Sequence, residues 1–147
     1  MFRHKVLRVN YTMYDVQCGQ DCMNPHIHSD IVTLSPDAES AQGGTSHPFR
    51  YARILGIFHA DVVHMVPGFP PLFKMMEFLW VRWFEYDYQW KAGLKQQQLH
   101  HLRFTQEGDH HAYGFLDPDD VIHGTHLIPA FTQGQSNGDY NYFYINM

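Results

Sequence analysis

Two long central stretches of the chain have the pattern of strands with apolar side chains on both faces. Residues 49–65, FRYARILGIFHADVVHM, are rich in β-branched and aromatic residues, with Gly56 near their middle. In residues 77–90, EFLWVRWFEYDYQW, both faces are apolar as far as Phe84, and one face turns acidic beyond it. Because the side chains of a strand alternate between faces, both stretches predict strands that are covered on two sides. A glycine bend in such a strand is typical of a small, strongly curved barrel.

Shorter segments around these stretches carry weaker strand and turn signals. Residues 66–73, VPGFPPLF, contain three prolines and a glycine, so they predict a loop between the two long strands. Further strands are predicted at 5–14, 31–34, 99–104 and 125–131, with a final aromatic β-like segment at 140–147.

One short helix is predicted where FLDPDDVIHG begins. Asp117 is a suitable N-cap, Pro118 fits the first helical position, and Asp119 and Asp120 add negative charge to the first turn. Gly124 then predicts an end after one or two turns. The three acids could also bind Ca²⁺ or Mg²⁺, but a helix start accounts for them without an ion.

The length of 147 residues suits one domain with a hydrophobic core. We expect a mainly β fold, a small barrel with short helical turns, with its core at 49–131. An N-terminal strand and loop would occupy 1–48, and a polar linker and aromatic tail 132–147. The predicted core residues are Ile54, Phe58, Leu79, Val81, Val121, Ile122 and Leu127.

Composition and charge exclude several function classes. The formal net charge is −5, so we expect weak or no binding to nucleic acid. The 12 histidines outnumber the 10 lysines and arginines, so mild acid would reverse the sign of this charge. No signal peptide and no apolar run of about 20 residues is evident, so we expect an intracellular protein that does not enter membranes. No activated nucleophile is apparent either, and we do not expect an enzyme.

A cysteine and histidine cluster near the N-terminus is a candidate metal site. Cys18, Cys22, His26 and His28 follow the spacing C-x3-C-x3-H-x-H, which is close to that of zinc knuckles without matching it. Otherwise we expect no cofactor. Free thiols and polar loop histidines are the alternative interpretation of the same residues.

Two resemblances rest on longer motifs. YARILGIFHADV, EFLWVRWFEYD and DDVIHGTHLI resemble, in this order, the paired strands and following turn of BAH (bromo-adjacent homology) domains across 49–131. With NYTMYDVQCGQDCMNPHIHSDIVTLS, GFLDPDDVIHGTHLIPAF and YNYFYINM, nearly the whole chain is similar to the C-terminal module of fungal Plavaka-type transposon-encoded proteins. That family tends to have arginine where this chain has His26 and His123. The resemblance implies that transposase chemistry lies outside this module.

The BAH resemblance implies an aromatic cage for a methylated lysine at the end of the second long stretch. The tryptophan of the WF pair forms one wall of such a cage, and nearby rings and acids attract the cation. The candidate residues are Trp83, Tyr86, Tyr88, Tyr113, Glu85 and Asp87. The alternative is that Trp80 and Trp83 are core residues on opposite faces of one strand.

The resemblances imply a non-catalytic chromatin or protein-interaction module of transposon origin. Its partner would be a histone tail or another protein, and its location nuclear. A small zinc-binding protein that uses the cysteine–histidine cluster is the main alternative. We also expect that the aromatic tail strand could pair with a second copy through an open edge.

Overall fold

The chain folds almost entirely into antiparallel strands. The computed structural model describes residues 1–12, 18–27, 29–36, 47–90, 99–136 and 139–146. Their thirteen strands are β1 Phe2–His4, β2 Leu7–Thr12, β3 Cys18–Met23, β4 Asp30–Leu34, β5 Phe49–His64, β6 Leu72–Tyr86, β7 His101–Phe104, β8 Tyr113–Leu116, β9 Val121–Gly124, β10 His126–Pro129, β11 Gln135–Ser136, β12 Asp139–Tyr140 and β13 Phe143–Asn146. Two 3-10 turns, Pro118–Asp120 and Phe131–Gln133, complete the described elements, which include no α-helix. None of the described residues forms a helix that is long and apolar enough to cross a membrane.

Seven of the strands form a nearly closed barrel. They are hydrogen-bonded in the order β10-β13-β7-β6-β5-β4-β9. The two end strands, β9 and β10, are separated in sequence only by Thr125, whose amide donates to the carbonyl of Asp30 at 2.8 Å. The chain itself therefore bridges the gap between the ends of the sheet. The expected mainly β fold with a small barrel and short helical turns is confirmed.

The barrel wall separates two hydrophobic clusters because successive side chains of a strand point to opposite faces. The inner cluster takes side chains from all the central strands and consists of Val32, Tyr51, Phe84, Leu102, Leu127, Phe143 and Ile145. The outer cluster lies on the opposite face and consists of Val9, Met23, Ile31, Ala52, Ile54, Ile57, Leu79, Val81, Trp83 and Val121. β5 and β6 thus contribute buried side chains to both clusters. The predicted covering of β6 on both faces as far as Phe84 is wrong at Trp80, which is 40% exposed and belongs to neither cluster.

A separate hairpin, β2 with β3, covers the outer cluster. It contributes Val9 and Met23 to that cluster. The carboxylate of Asp21 accepts a hydrogen bond of 2.9 Å from the amide of Gly124. A Cβ at Gly124 would lie 3.3 Å from both Asp21 Oδ2 and Met23 Sδ, so the absence of a side chain there allows the hairpin to approach β9. Hairpin and barrel are joined by this contact as well as by apolar packing.

A bulge in β5 changes which of its residues enter the core. Ile54 pairs with Val81 and Gly56 with Trp80, so β5 has one additional residue at this point. A bulge of this kind reverses the alternation beyond it. Ile57 is therefore buried in the outer cluster, whereas the predicted core residue Phe58 lies outside both clusters.

The other predicted core residues have mixed outcomes. Ile54, Leu79, Val81, Val121 and Leu127 are buried, as expected. Ile122 is only partly buried and packs against the inner cluster from its edge. The prediction was wrong about which side chains face the core beyond Gly56, where the bulge reverses the alternation.

The predicted helix at 117–124 is a single 3-10 turn. Asp117 caps it as expected, because its side chain accepts from the amide of Asp119 at 3.0 Å, and Pro118 begins it. The turn ends at Asp120, with Val121 as its C-cap, rather than at Gly124, and Gly124 is the last residue of β9. The β-branched Val121 and Ile122 favour a strand at this point, and their burial on two faces of the wall stabilises it.

The aromatic tail strand lies inside the sheet rather than at its edge. β13 pairs with β10 along Phe143–Asn146 and with β7 through Phe143 and Tyr144. A second copy would have to displace one of these neighbours over the doubly paired part of the strand. Self-association through β13 stays a prediction. It would require an open strand edge, and β13 has none over Phe143 and Tyr144.

An insertion of eight residues interrupts the strand next to β6. Strands β7 and β8 both pair with the same edge of β6, and residues 105–112 leave the sheet between them. The carbonyl of Trp83 accepts from the amide of Thr105 at 3.1 Å, and the amide of Trp83 donates to Ala112 at 2.9 Å. Both ends of the insertion are therefore held by the backbone of one residue.

Candidate functional site

Two adjoining cavities at one end of the barrel form a groove. They share three lining residues, His47, Tyr86 and Tyr88. The smaller cavity, about 180 Å³, is lined in addition by Asp87, Trp90, His100 and His101. The larger, about 280 Å³, extends toward Arg50, Glu85, Asp109 and His111. We call the two together the aromatic–acidic groove.

The rings of the smaller cavity come from the end of β6 and the residues just beyond it. Tyr86 is the last residue of β6, and Tyr88 and Trp90 lie in the turn that follows it, in which the amide of Trp90 donates to the carbonyl of Asp87 at 3.1 Å. The rings of Tyr86 and Tyr88 have centroids 6.4 Å apart. Tyr88 is 78% exposed. It therefore forms the outer wall of the cavity and does not contribute to the core of the barrel.

The hydroxyl of Tyr86 is fixed at the bottom of the groove. It lies 2.7 Å from Nδ1 of His47 and donates to the carbonyl of Phe49 at 3.2 Å. Burial, followed by the influence of Tyr51, raises the pKa of Tyr86 above its ordinary range, so its hydroxyl stays protonated. Burial and the neighbouring His100 lower the pKa of His47, so a neutral imidazole is favoured there.

The carboxylate of Asp87 is held by two partners. One of its oxygens lies 3.2 Å from Nδ1 of His101, and the other accepts from the amide of Gln89 at 3.1 Å. The imidazole of His101 is buried and stacks on the ring of Tyr142 at 4.4 Å, with Trp90 at 4.7 Å. This packing orients the histidine and thereby fixes one negative charge beside the rings of the cavity.

The six predicted cage residues do not share one cavity. Tyr86, Tyr88 and Asp87 line the smaller cavity together. Glu85 lines the larger one, where its carboxylate lies 2.5 Å from Nε of Arg103 and raises the pKa of that guanidinium.

The other two predicted members lie away from the groove. Trp83 is 8% exposed and belongs to the outer hydrophobic cluster, and the guanidinium of Arg50 lies 3.9 Å from the centre of its ring. Tyr113 lies on β8, 6.3 Å from Trp80 and 5.7 Å from the guanidinium of Arg82. Trp83 and Tyr86 project to opposite faces of the barrel wall, because they are an odd number of positions apart on one strand.

The sequence offered a signal for one of the lining residues that it did not identify. Trp90 follows Tyr86 and Tyr88 closely in the letters YDYQW, so it stays near them through the turn that ends β6. His47 and His100 carry no such signal, because His47 is 39 residues away from Tyr86 and reaches it only through the fold. The histidines that line the groove are therefore brought to Tyr86 by the tertiary fold, and the local sequence does not reveal them.

A third cavity, about 530 Å³, lies on the outer face of the wall. Trp83, Leu116, Asp119 and Asp120 are among its lining residues, and it shares Arg50 with the groove. The guanidinium of Arg50 lies over the Trp83 ring at 3.9 Å, so this ring already has a cation of the same chain against it.

Two of the four predicted zinc ligands lie outside the described parts of the chain. His28 and the side chain of Cys18 are among the undescribed parts, while Cys22 is an exposed free thiol. Within the described residues, no group of three or more metal-ligating side chains comes together. The four-residue zinc site stays a prediction.

Comparisons with models of protein families, with curated proteins and with solved structures give no match to this chain. The family resemblances therefore rest on the sequence motifs alone. What the structure adds is a nearly closed antiparallel barrel with a groove at one end.

Proposed function

We propose that the protein is a non-catalytic interaction module that binds a cationic peptide. The ligand that we propose is a lysine-methylated histone tail. One observation carries the proposal: Tyr86, Tyr88, Trp90 and Asp87 line a single small cavity. Aromatic faces attract quaternary and methylated ammonium groups, and a nearby carboxylate adds charge attraction. This combination is chemically suited to a cation and unsuited to an anion.

The size of the smaller cavity limits what it can hold. Its 180 Å³ is below the range of about 300–1,000 Å³ that is usual for drug-sized ligands. The end of one side chain fits such a volume better than a whole small molecule does. A lysine side chain also brings an apolar stem that can lie along the exposed ring of Tyr88.

The larger cavity would hold residues that flank the lysine. It shares His47, Tyr86 and Tyr88 with the smaller one, so a peptide can pass from one to the other. Its carboxylates are Glu85, which is paired with Arg103, and Asp109, and its lining also includes Arg50. Asp109 can pair with a basic residue of the peptide, and a histone tail has such residues.

The test is a titration of methylated and unmodified histone-tail peptides, followed by tryptophan fluorescence. We expect binding that depends on methylation. The variant Tyr88→Ala should weaken it by about 2- to 30-fold, since one cation–π contact contributes about 0.5–2 kcal/mol. Tyr113→Ala is the matched control, because this tyrosine lies outside the groove, and it should bind like the wild type.

Two outcomes would overturn the proposal. One is the absence of binding to any of the peptides by the folded protein. The other is an equal loss of binding in Tyr88→Ala and Tyr113→Ala. Asp87→Asn gives an independent check, because it removes the charge and keeps the shape, and it should lower affinity more at low salt than at high salt.

We also propose that the barrel is of the BAH type, of transposon origin and nuclear. The ordered motifs YARILGIFHADV, EFLWVRWFEYD and GFLDPDDVIHGTHLIPAF support the origin, and the location follows from it. A tagged copy expressed in fungal cells should be recovered with chromatin. Recovery in the cytosolic fraction alone would contradict the location without affecting the peptide measurement.

A further inference from the structure

The long hairpin of β5 and β6 extends beyond the barrel as an apolar arm. Its outer half spans 60–78, and we call it the β-arm. The large exposed apolar side chains of its strands and loop are Val63, Met65, Val66, Phe69, Leu72, Phe73, Met75 and Met76. Phe73 and Met65 are each 76% exposed. Because successive side chains of a strand point to opposite faces, these residues are exposed on both faces of the ribbon. A concentration of exposed apolar side chains indicates an interaction site, and an isolated two-stranded ribbon is only marginally stable in water.

The β6 edge of the β-arm has no partner in the described part of the chain, and on the β5 edge β1 pairs only with Ile57–His59. Strand β8 pairs with β6 only from Leu79 to Arg82, and β7 pairs with it beyond that. Leu72–Phe78 therefore has its inner edge on β5 and its outer edge open. The segment contains neither proline nor a bulge, two of the devices that commonly block an edge, although it carries the charged residues Lys74 and Glu77.

The backbone groups on this open edge can be assigned from Trp83. Its amide and carbonyl both bond to the residues that follow β7 and precede β8, so they point outward. Amide and carbonyl directions alternate along an antiparallel strand, and the bulge lies in β5 rather than in β6. The outward groups of the open segment are therefore those of Phe73, Met75 and Glu77.

A second copy fits this edge in one register better than in its neighbours. A two-fold axis perpendicular to the sheet must pass between a residue and its own copy. Centred on Met75, the midpoint of Leu72–Phe78, it pairs the whole segment and makes Met75 a hydrogen-bonded pair with itself. Phe73 then faces Glu77 of the other copy, and Lys74 faces Met76. A centre on Lys74 would oppose two like charges, and a centre on Met76 would shorten the pairing, because β8 occupies the edge from Leu79.

We propose that the protein forms a two-fold dimer in which the outer edges of the two β-arms pair antiparallel about Met75. The pairing converts two ribbons into a four-stranded sheet, and three or more strands with an apolar face are what independent stability requires. Seven residues from each copy are fewer than the 20–30 of a standard interface, so a reversible dimer is expected. The proposal is independent of the groove and of its ligand.

The test uses charge at the two-fold axis. Sedimentation equilibrium of the wild type, from about 1 µM to about 1 mM, spans the range expected for reversible association and should show a mass that rises from one chain toward two. Met75→Lys and Met75→Glu should each remain monomeric, because each places like charges directly opposite one another. An equimolar mixture of the two variants should regain dimers, since the introduced lysine of one copy then faces the introduced glutamate of the other.

Control variants distinguish pairing in this register from non-specific association of the apolar β-arm. Met65→Lys and Met65→Glu change a methionine in the loop that lies off the edge and is 76% exposed, against 56% for Met75, and they should dimerise like the wild type. Circular dichroism confirms that each variant is folded. A wild type that stays monomeric throughout, single variants that still dimerise, or a mixture that does not recover dimers would each overturn the proposal.

Discussion

Trp83→Ala distinguishes a core residue from a wall of a ligand cage. The side chain is 8% exposed and packs in the outer hydrophobic cluster with Val81 and Ile54. Truncation of a buried tryptophan or phenylalanine to alanine costs about 3–5 kcal/mol through lost burial and the remaining cavity. The contact of the ring with the Arg50 guanidinium at 3.9 Å is lost as well. Since a domain has only about 5–15 kcal/mol of stability, the variant should be close to unfolding.

Urea denaturation followed by circular dichroism measures the effect. With a slope of about 2 kcal/mol per molar urea, the midpoint should fall by about 1.5–2.5 M. Trp83→Phe keeps most of the buried apolar area, so we expect a smaller loss, roughly 1–2 kcal/mol. The reasoning is refuted if Trp83→Ala unfolds within about 0.5 kcal/mol of the wild type, the range of ordinary surface substitutions, while peptide binding disappears.

Four further predictions follow from the structure. Gly114→Ala should cost about 1–3 kcal/mol by overpacking, because its Cβ would lie 2.7 Å from the buried indole nitrogen opposite, whereas Gly108→Ala has nothing within 4 Å and should be neutral in the same urea assay. Asp30→Asn should cost about 1.5–3 kcal/mol, because it weakens a half-buried 2.7 Å contact with Arg53, and a smaller cost would show that this pair is dispensable. Burial and a neighbouring histidine lower the pKa of His47 below 6.5, so the unfolded chain binds more protons. The associated stability is complete above about pH 6.5 and falls as the pH drops toward the lower folded value, and His47→Gln should flatten this part of the pH profile. Elemental analysis near one zinc per chain would support the cysteine–histidine site, and a metal-free folded protein would remove it.

The fold was predictable where apolar residues alternate without interruption. The two long strands were expected at 49–65 and 77–90, and they lie at Phe49–His64 and Leu72–Tyr86. The second strand begins inside the predicted loop 66–73 and ends before the turn at 87–90, and its expected covering on both faces fails at the exposed Trp80. The bulge next to Gly56 was not visible in the same letters. Bulges depend on the register with a partner strand, and a single strand pattern contains no register.

The site was predictable only in part, for a related reason. Tyr86, Tyr88 and Asp87 were expected and share a cavity, because neighbouring residues at a strand end stay together in any fold. Trp83 was expected to join them, yet its position on the opposite face places it in the core. His47 reaches the groove through tertiary folding, and an isolated histidine in a polar loop gives no sign of that.

The position of Trp83 in the core gives it an indirect connection to the groove. Its backbone holds both ends of the insertion 105–112, through Thr105 and Ala112, and this insertion supplies Asp109 and His111 to the larger cavity. A substitution that loosens the indole would allow β6 to shift and would move those two side chains with it. Loss of peptide binding in a Trp83 variant is therefore not evidence of a direct contact. Tyr88, exposed and uninvolved in the core, is the position where a loss of binding without a loss of stability would identify the ligand contact itself.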